Sequence, residues 1–414
     1  MPDTPSKMSI EEIRKEFPTL SQTVYGRPLV YLDNAATSLR PQRVIDKWVE
    51  MSAAKNANIH RAVHHLAVEA TEEYESTRDT VRDFLNAAHR EEIIFTSGTT
   101  ASVNLLAFSF GEAFIRPGDE ILIAESEHHS DIVPWQMMAE RKGAVIRTIP
   151  VDDDGHLDLQ RLRENLTNRT RLTCFAEISN VLGLINPVKE IVNICHSAGC
   201  LVFCDGAQGV VHGCPDVRDS GVDFYAFSGH KIYAAPGTGV LYGRRELLEQ
   251  LPPYMGGGEM IGTVSFEKTT YAPLPGKFEA GTQNLASVPT LKPALVLARE
   301  LRCPEIEAGQ RAITAYLLEK LGTDPRIRLY GIPREGEEKI PLFSFSVKGA
   351  HHEDLALILD KLGVAVRSGQ MCAEPLMDRF GVTGMVRASF APYNTLAEAE
   401  YFVSALHRAM EMLL

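Results

Sequence analysis

The sequence predicts an α/β protein in which a mostly parallel sheet of at least six strands lies between helices in a large domain, with a smaller α+β domain after it. Three observations predict it. Short apolar runs alternate with helical periodicity through the first 243 residues, and each run hands over to a polar cluster. The chain is also long, 414 residues with 44% hydrophobic and 23% charged, so a sizeable core is affordable and composition is that of an ordinary globular protein.

After a short amphipathic start over Ile10 to Phe17, PLVYLDNAAT is a β-rich run ending in an Asp-Asn-Ala-Ala turn. Helical periodicity from Arg43 to Ser52 and from Ala67 to Ala87 leads to the strand of EIIFTSGTT, and ASVNLLAFSFGEAF continues as a helix. The alternation repeats through DEILIAESEHHS, WQMMAERKG, AVIRTIPV, TRLTCFAEIS, a helix from Val188 to Ala198, CLVFCDGAQ, VDFYAFSGHK and GTGVLYG. Strands separated by helices make βαβ units and a parallel sheet. Such sheets gather ligands at the carboxyl ends of their strands. Those ends carry Ser97 to Thr100, Ser126 to Ser130, Ser179 to Gly183, Asp205 to Gln208 and Ser228 to Lys231.

Beyond Leu251 the chain to Asn284 is rich in Gly, Pro and Thr without period, as loops over a site or against a partner would be. A helix from Val288 to about Leu301 follows. PLFSFSV, HEDLALILDKLGVAVRSG and a helical tail from Leu396 then read as the smaller domain. The expected division is a large domain over residues 25–296, with residues 1–24 and 297–414 forming the small one.

With 42 basic and 54 acidic residues the net charge is −12, and no basic run stands out, so a nucleic-acid partner is not expected. The opening residues lack the basic and apolar regions of a secretory signal, and no eighteen consecutive residues are apolar. Neither a membrane partner nor a metal is expected. Seven cysteines without paired spacing suit a reducing, cytoplasmic setting. Cys174, Cys200 and Cys204 fall in or beside apolar runs, as small buried hydrophobes do, whereas Cys372 does not.

Alone, Asp205 reads first as a helix N-cap. Lys231 at the end of the next strand changes that reading, because two neighbouring strand ends then present an acid and an amine to one cleft. A buried lysine loses basicity and can attack an aldehyde. Ser228 and His230 supply donors for a phosphate, and an aspartate keeps a pyridine nitrogen protonated. The Gly-Thr-Thr turn of Thr99 and Thr100 opens a helix whose free N–H groups favour an anion. These are the groups pyridoxal phosphate requires. Of His128 and His129, neither has metal-ligand spacing; one can lie on the cofactor ring while the other stays at the surface or behind it.

YLDNAATS, IHRAVHHLA, SGTT, EHHSDIVPWQ, ISNVLG, DGAQ, DFYAFSGHK, GGGEMI, KFEAGTQN, VRSGQMCAEPLM and VRASFAPYNT, in this order along nearly the whole chain, resemble the class V aminotransferases of fold type I. Within them they are most similar to the group II, Suf-type cysteine desulfurases, a group that includes selenocysteine lyases. The resemblance implies the fold-type I architecture, with seven strands in the mostly parallel sheet of the large domain, and a pyridoxal 5'-phosphate enzyme that converts L-cysteine to L-alanine and supplies sulfur for iron–sulfur cluster assembly. It implies Lys231 as the Schiff-base lysine, Asp205 as partner of the pyridine nitrogen, Gln208 at the phenolic oxygen and His128 stacked on the ring. Phosphate contacts fall to Thr99 or Thr100, Ser228 and His230, with Thr282 reaching across from the other subunit of a homodimer. Asn180 and Arg387 hold the substrate carboxylate, with Arg367 beside them, and Cys372 takes the sulfur as a persulfide for an acceptor protein.

Arg367, five residues upstream, and the Gly- and Ser-containing loop are consistent with an exposed, partly ionised thiol at Cys372. The chain departs from the family where Gln370 and Met371 replace two histidines, Gln283 replaces a proline and Ala101 a glutamate. A selenocysteine lyase is the first alternative, since selenium leaves readily and needs the thiol less. A kynureninase-like hydrolase or an epimerase of the same class would not need Cys372. A fold kept without catalysis is disfavoured by the lysine, aspartate and arginine together.

Overall fold

The computed structural model describes residues 9–213 and 215–414; Cys214 lies outside the described residues. Seven strands form the central sheet: β1 (Ile93–Thr96), β2 (Glu120–Ala124), β3 (Val145–Ile149), β4 (Thr170–Ala176), β5 (Leu201–Asp205), β6 (Phe224–Ser228) and β7 (Gly239–Gly243). Their order is β1-β7-β6-β5-β4-β2-β3. Neighbours from β6 to β3 run parallel, and β7 runs antiparallel to both β1 and β6.

Alternating residues of these strands point to opposite faces, and both faces are buried, which is why the strands read as continuous apolar runs. Ile93, Phe95, Leu122, Val202 and Cys204 pack on one face; Ile94, Ile121, Ile123 and Phe203 pack on the other. The connecting helices follow the expected periodicity: Gln42–Ala53, His65–Leu85, Thr99–Phe114, Val133–Lys142 and Val188–Ser197. The long helix expected from Val288 begins as a 3-10 turn over Val288–Thr290, with Pro289 in it, before Leu291–Glu300. Of the loop-rich stretch after Leu251, Ile261–Val264 and Thr269–Tyr271 pair as a short hairpin.

The second sheet is antiparallel throughout. Its strands β8 (Ile327–Tyr330), β9 (Leu342–Val347), β10 (Arg367–Gly369) and β11 (Met385–Ser389) lie in the order β8-β9-β11-β10. Helices Pro304–Gly322, His352–Lys361 and Leu396–Leu413 cover it. Packing crosses the expected domain division at two places. Val30 and Leu32 join this second core, because Val30–Tyr31 pairs in parallel with Val364–Ala365. Phe17, by contrast, packs its ring against Tyr233 and Tyr393 in the first core, together with Ile13, Cys303 and Ile306. Among the described residues no helix is long and apolar enough to cross a membrane.

Candidate active site

Backbone pairing sets β5 and β6 side by side with Asp205 opposite Ala226, so the chain leaving each strand enters the same cleft. That cleft is a cavity of about 490 Å³ lined by Asp205, Lys231, Ser228, His230, His128, Thr99 and Thr100 from the large sheet, and by Arg367, Cys372 and Arg387 from the small one. Asn180 lines it too. Lys231 follows β6 in a short 3-10 turn over Gly229–Lys231. Burial lowers its ammonium pKa; the negative charge of Asp205 opposes the shift and Arg387 adds to it.

Asp205 is 8% exposed and its Oδ1 accepts from the Ala207 N–H at 2.8 Å. Behind it lie two fully buried carboxyls. Among the described residues no N–H or hydroxyl donates to either oxygen of Asp131, and burial, the charges of Asp205 and Glu127 and a hydrogen bond to the Asp205 carboxylate push its pKa well above the carboxylate range. Glu127 accepts from the Ala176 N–H at 3.0 Å; burial still pushes its pKa to about 8. Three acids cannot all ionise in so dry a place, so the inner two hold protons.

His128 is neutral. Burial first, then the Lys231 charge, pulls its pKa down to about 4. Its Nδ1 accepts from the Ser130 N–H at 3.0 Å, which leaves the proton on Nε2.

At the end of β1, Gly98 adopts φ 149 and makes no side-chain cap for the helix Thr99–Phe114. Glycine is required at both sides of this turn: a Cβ on Gly98, at its positive φ, would also lie 3.3 Å from Ser228 Oγ, and one on Gly239 of β7 would lie 2.5 Å from the Gly98 Cα. Ser228 Oγ accepts from the Thr99 N–H and bonds the Thr99 hydroxyl, both at 2.9 Å, and Thr100 bonds Ser130 through their hydroxyls at 2.7 Å. Burial, then Lys231, lowers the His230 pKa to about 4, so the imidazole is a neutral donor, with Nδ1 3.2 Å from the Thr37 hydroxyl. Hydroxyls and imidazole at an uncapped helix start form an anion cradle.

Arg367 and Arg387 face one another in register on β10 and β11. Asp33 makes this like-charged pair tolerable: it takes Arg367 Nη2 at 2.8 Å and lies 3.5 Å from Arg387 Nη2. Arg387 is 3% exposed, gives Nη1 to the Asn180 carbonyl at 2.7 Å, and keeps a buried Nε without a partner. Burial lowers its pKa to about 10 against the pull of Asp33, so it stays charged at neutral pH. Arg387 lines the cavity, and a charged, planar guanidinium at its wall suits a carboxylate.

Cys372 is the exposed cysteine among the described residues; Cys174, Cys195, Cys200, Cys204 and Cys303 are buried. Both it and Met371 are left-handed, with φ 56 and 54, each costing on the order of 1 kcal/mol or more that surrounding contacts must offset.

Two expected residues stand outside the cavity lining. Gln208 is buried and donates Nε2 to the Ala35 carbonyl at 2.9 Å. Thr282 lines a separate cavity of about 340 Å³ with Tyr74, Phe95, Ser97 and Tyr254. Asn180 lies in the site, yet its Nδ2 is engaged by the Met371 carbonyl at 3.0 Å. The sequence reading missed Asp33, Ser130 and Asp131; for Asp33 the Asp-Asn-Ala-Ala turn was the available signal. Among the described residues no cluster of His, Cys, Asp and Glu is arranged to hold a metal.

The donor set of an amine, a strand-end carboxylate, a neutral imidazole and an anion cradle fits a phosphorylated pyridine aldehyde. The comparisons agree with it. The aminotransferase class-V family model matches residues 30–402. The chain is 44% identical over 405 residues to a cysteine desulfurase of Pectobacterium carotovorum, covering 98% of each. It resembles the crystal structure of the Escherichia coli cysteine desulfurase CsdA in its S-sulfonic acid form, with TM-score 0.90, 38% identity and coverage of 98% and 100%. It also resembles the apo cysteine desulfurase of Thermococcus onnurineus, with TM-score 0.92, 35% identity and coverage of 99% and 100%. Motifs, sheet order and relatives converge over nearly the whole chain, which belongs to the class-V aminotransferase family.

Proposed function

We propose that the protein is a pyridoxal phosphate-dependent cysteine desulfurase. The observation that carries this reading is one cavity lined by a buried amine, a charged arginine and the exposed thiol of Cys372. Lys231 would carry the cofactor, Asp205 its ring nitrogen, and Thr99, Thr100, Ser228 and His230 its phosphate, with His128 on the ring and Gln208 behind the Ala35 turn. When bound, the cofactor supplies an electron sink for the carbanion that proton removal leaves at the substrate Cα.

Arg387 holds the L-cysteine carboxylate, with Asn180 and Arg367 beside it. Lys231, less basic than a free lysine, takes the Cα proton. The Cys372 thiolate attacks the substrate sulfur; the new S–S bond forms as the Cβ–S bond breaks, and its electron pair stays with carbon. Protonation of that carbon skeleton gives L-alanine and leaves a persulfide on Cys372. Exposure of Cys372 suits delivery to a sulfur-acceptor protein, as iron–sulfur cluster assembly requires.

A homodimer is part of the reading. Thr282 would complete a neighbour's phosphate site; Tyr254 and Met255, lining the same cavity, are 40% and 58% exposed, and Phe266, in the turn of the hairpin over residues 261–271, is wholly exposed, apolar surface that suits a second copy. Sedimentation with and without Phe266→Asp tests this; a monomeric parent would contradict it. The activity is tested by assaying alanine from L-cysteine, which is expected in equal amount to sulfide in the presence of a reductant.

A further inference from the structure

We propose that His129 is a positioning residue that clamps the Cys372 loop in its strained form and ties it to the cofactor cradle. The loop's own hydrogen bonds are few: the Ala373 N–H donates to the Gln370 carbonyl at 3.0 Å and Gln370 Nε2 to the Glu374 carboxylate at 3.1 Å. Met371 and Cys372 are both left-handed, and the helix Glu374–Phe380 that follows has no side-chain cap from Ala373. His129 supplies what is missing from 245 residues away in sequence: its ring Nε2 accepts from the Glu374 N–H at 3.0 Å, and its own N–H donates to the Cys372 carbonyl at 2.7 Å. The two bonds hold the chain just after the Cys372 Cα, on either side of Ala373. Asn180 adds a third through the Met371 carbonyl.

The neighbours of His129 belong to the other half of the site. His128 is bonded by the Ser130 N–H, and Ser130 joins the Thr100 hydroxyl at the helix start. Three consecutive residues therefore join ring, cradle and thiol loop. Because Nε2 accepts, the ring proton sits on Nδ1, and only a side chain with an acceptor at that reach can replace it.

The turnover arm of the test rests on the desulfurase reading, while the exchange arm does not. Holoenzyme is compared with His129→Ala, which removes the ring acceptor, and with His129→Gln, whose amide oxygen can take its place. In His129→Ala, hydrogen exchange at the Glu374 amide is expected to rise about tenfold and kcat for alanine to fall about tenfold. KM for L-cysteine should stay within about twofold and the visible cofactor band should not move, as expected when ground-state binding is untouched. His129→Gln should remain within about threefold of the parent on every reading. Unchanged exchange in His129→Ala, a Gln variant as impaired as Ala, or a lost visible band would each overturn the clamp. Raised Glu374 exchange in a protein whose parent makes no alanine would uphold the clamp and overturn the desulfurase reading.

Discussion

Lys231, Asp205 and Ser228 stand at the ends of adjacent strands whose register backbone pairing fixes, whereas Cys372, lining the same cavity, sits on a loop in left-handed conformation. The first group is preorganised by the sheet and surrounded by proton-holding acids. The second borrows its shape from His129 and Asn180, which come from other elements. A site that must first hold a cofactor and then present a thiol outward gains from the difference. In the proposed reaction, rigid placement would serve proton transfer, and an exposed loop would serve delivery of sulfur to an acceptor.

The largest effect is expected at Lys231. Lys231→Ala is expected to lose on the order of 10³-fold or more in alanine formation together with the visible cofactor band. Cys372→Ser should separate the two regions. Turnover of L-cysteine is expected to fall on the order of 10²-fold while the visible band stays, as absorption spectra beside the assay will show.

Arg387 and Arg367 sharpen it further, since they are paired in register but differ in burial. Arg387→Ala should lower kcat/KM for L-cysteine about 30-fold to 100-fold, the weight of a charged hydrogen bond in a dry site. Arg367, whose side chain is 47% exposed, should cost about threefold.

The acid group behind Asp205 gives a pH test. Glu127 keeps its proton in the folded protein up to about pH 8 but loses it near 4.5 when unfolded, so stability present below 4.5 is lost as pH rises toward 8. Glu127→Gln should remove part of that loss. Its melting temperature relative to the parent is expected to rise between pH 5 and 8, by the equivalent of about 1 kcal/mol or more. The smallest expected effect is that of Asn180→Ala on the loop, about threefold in Glu374 amide exchange, because the His129 bonds remain.

The two regions were also unequally legible. Strand ends announce themselves, because an apolar run followed by Ser-Gly-Thr-Thr or Asp-Gly-Ala-Gln changes character at one residue, and strand order then places those ends together. Asp205, Lys231 and the Thr99 cradle were therefore readable by chemistry alone. The resemblance supplied Arg387, Asn180 and Cys372, whose neighbours in space come from distant parts of the chain. The Asp-Asn-Ala-Ala turn marks Asp33 as polar, but nothing in it points to the two arginines 334 and 354 residues away, and nothing local marks His129 as the partner of Glu374. Asp131 reads as an ordinary polar residue after a strand; only burial, which depends on the helices packed around it, turns it into a proton-holding acid.

The central claim is that one cavity joins a cofactor lysine to a sulfur-accepting thiol. Its most direct test is the quantitation of alanine and sulfide from L-cysteine and a reductant, with Cys372→Ser assayed in parallel and the visible band recorded for both. The expected result is equal alanine and sulfide from the parent, almost none from the variant, and the same band in each. A variant that makes alanine as fast as the parent would contradict the claim.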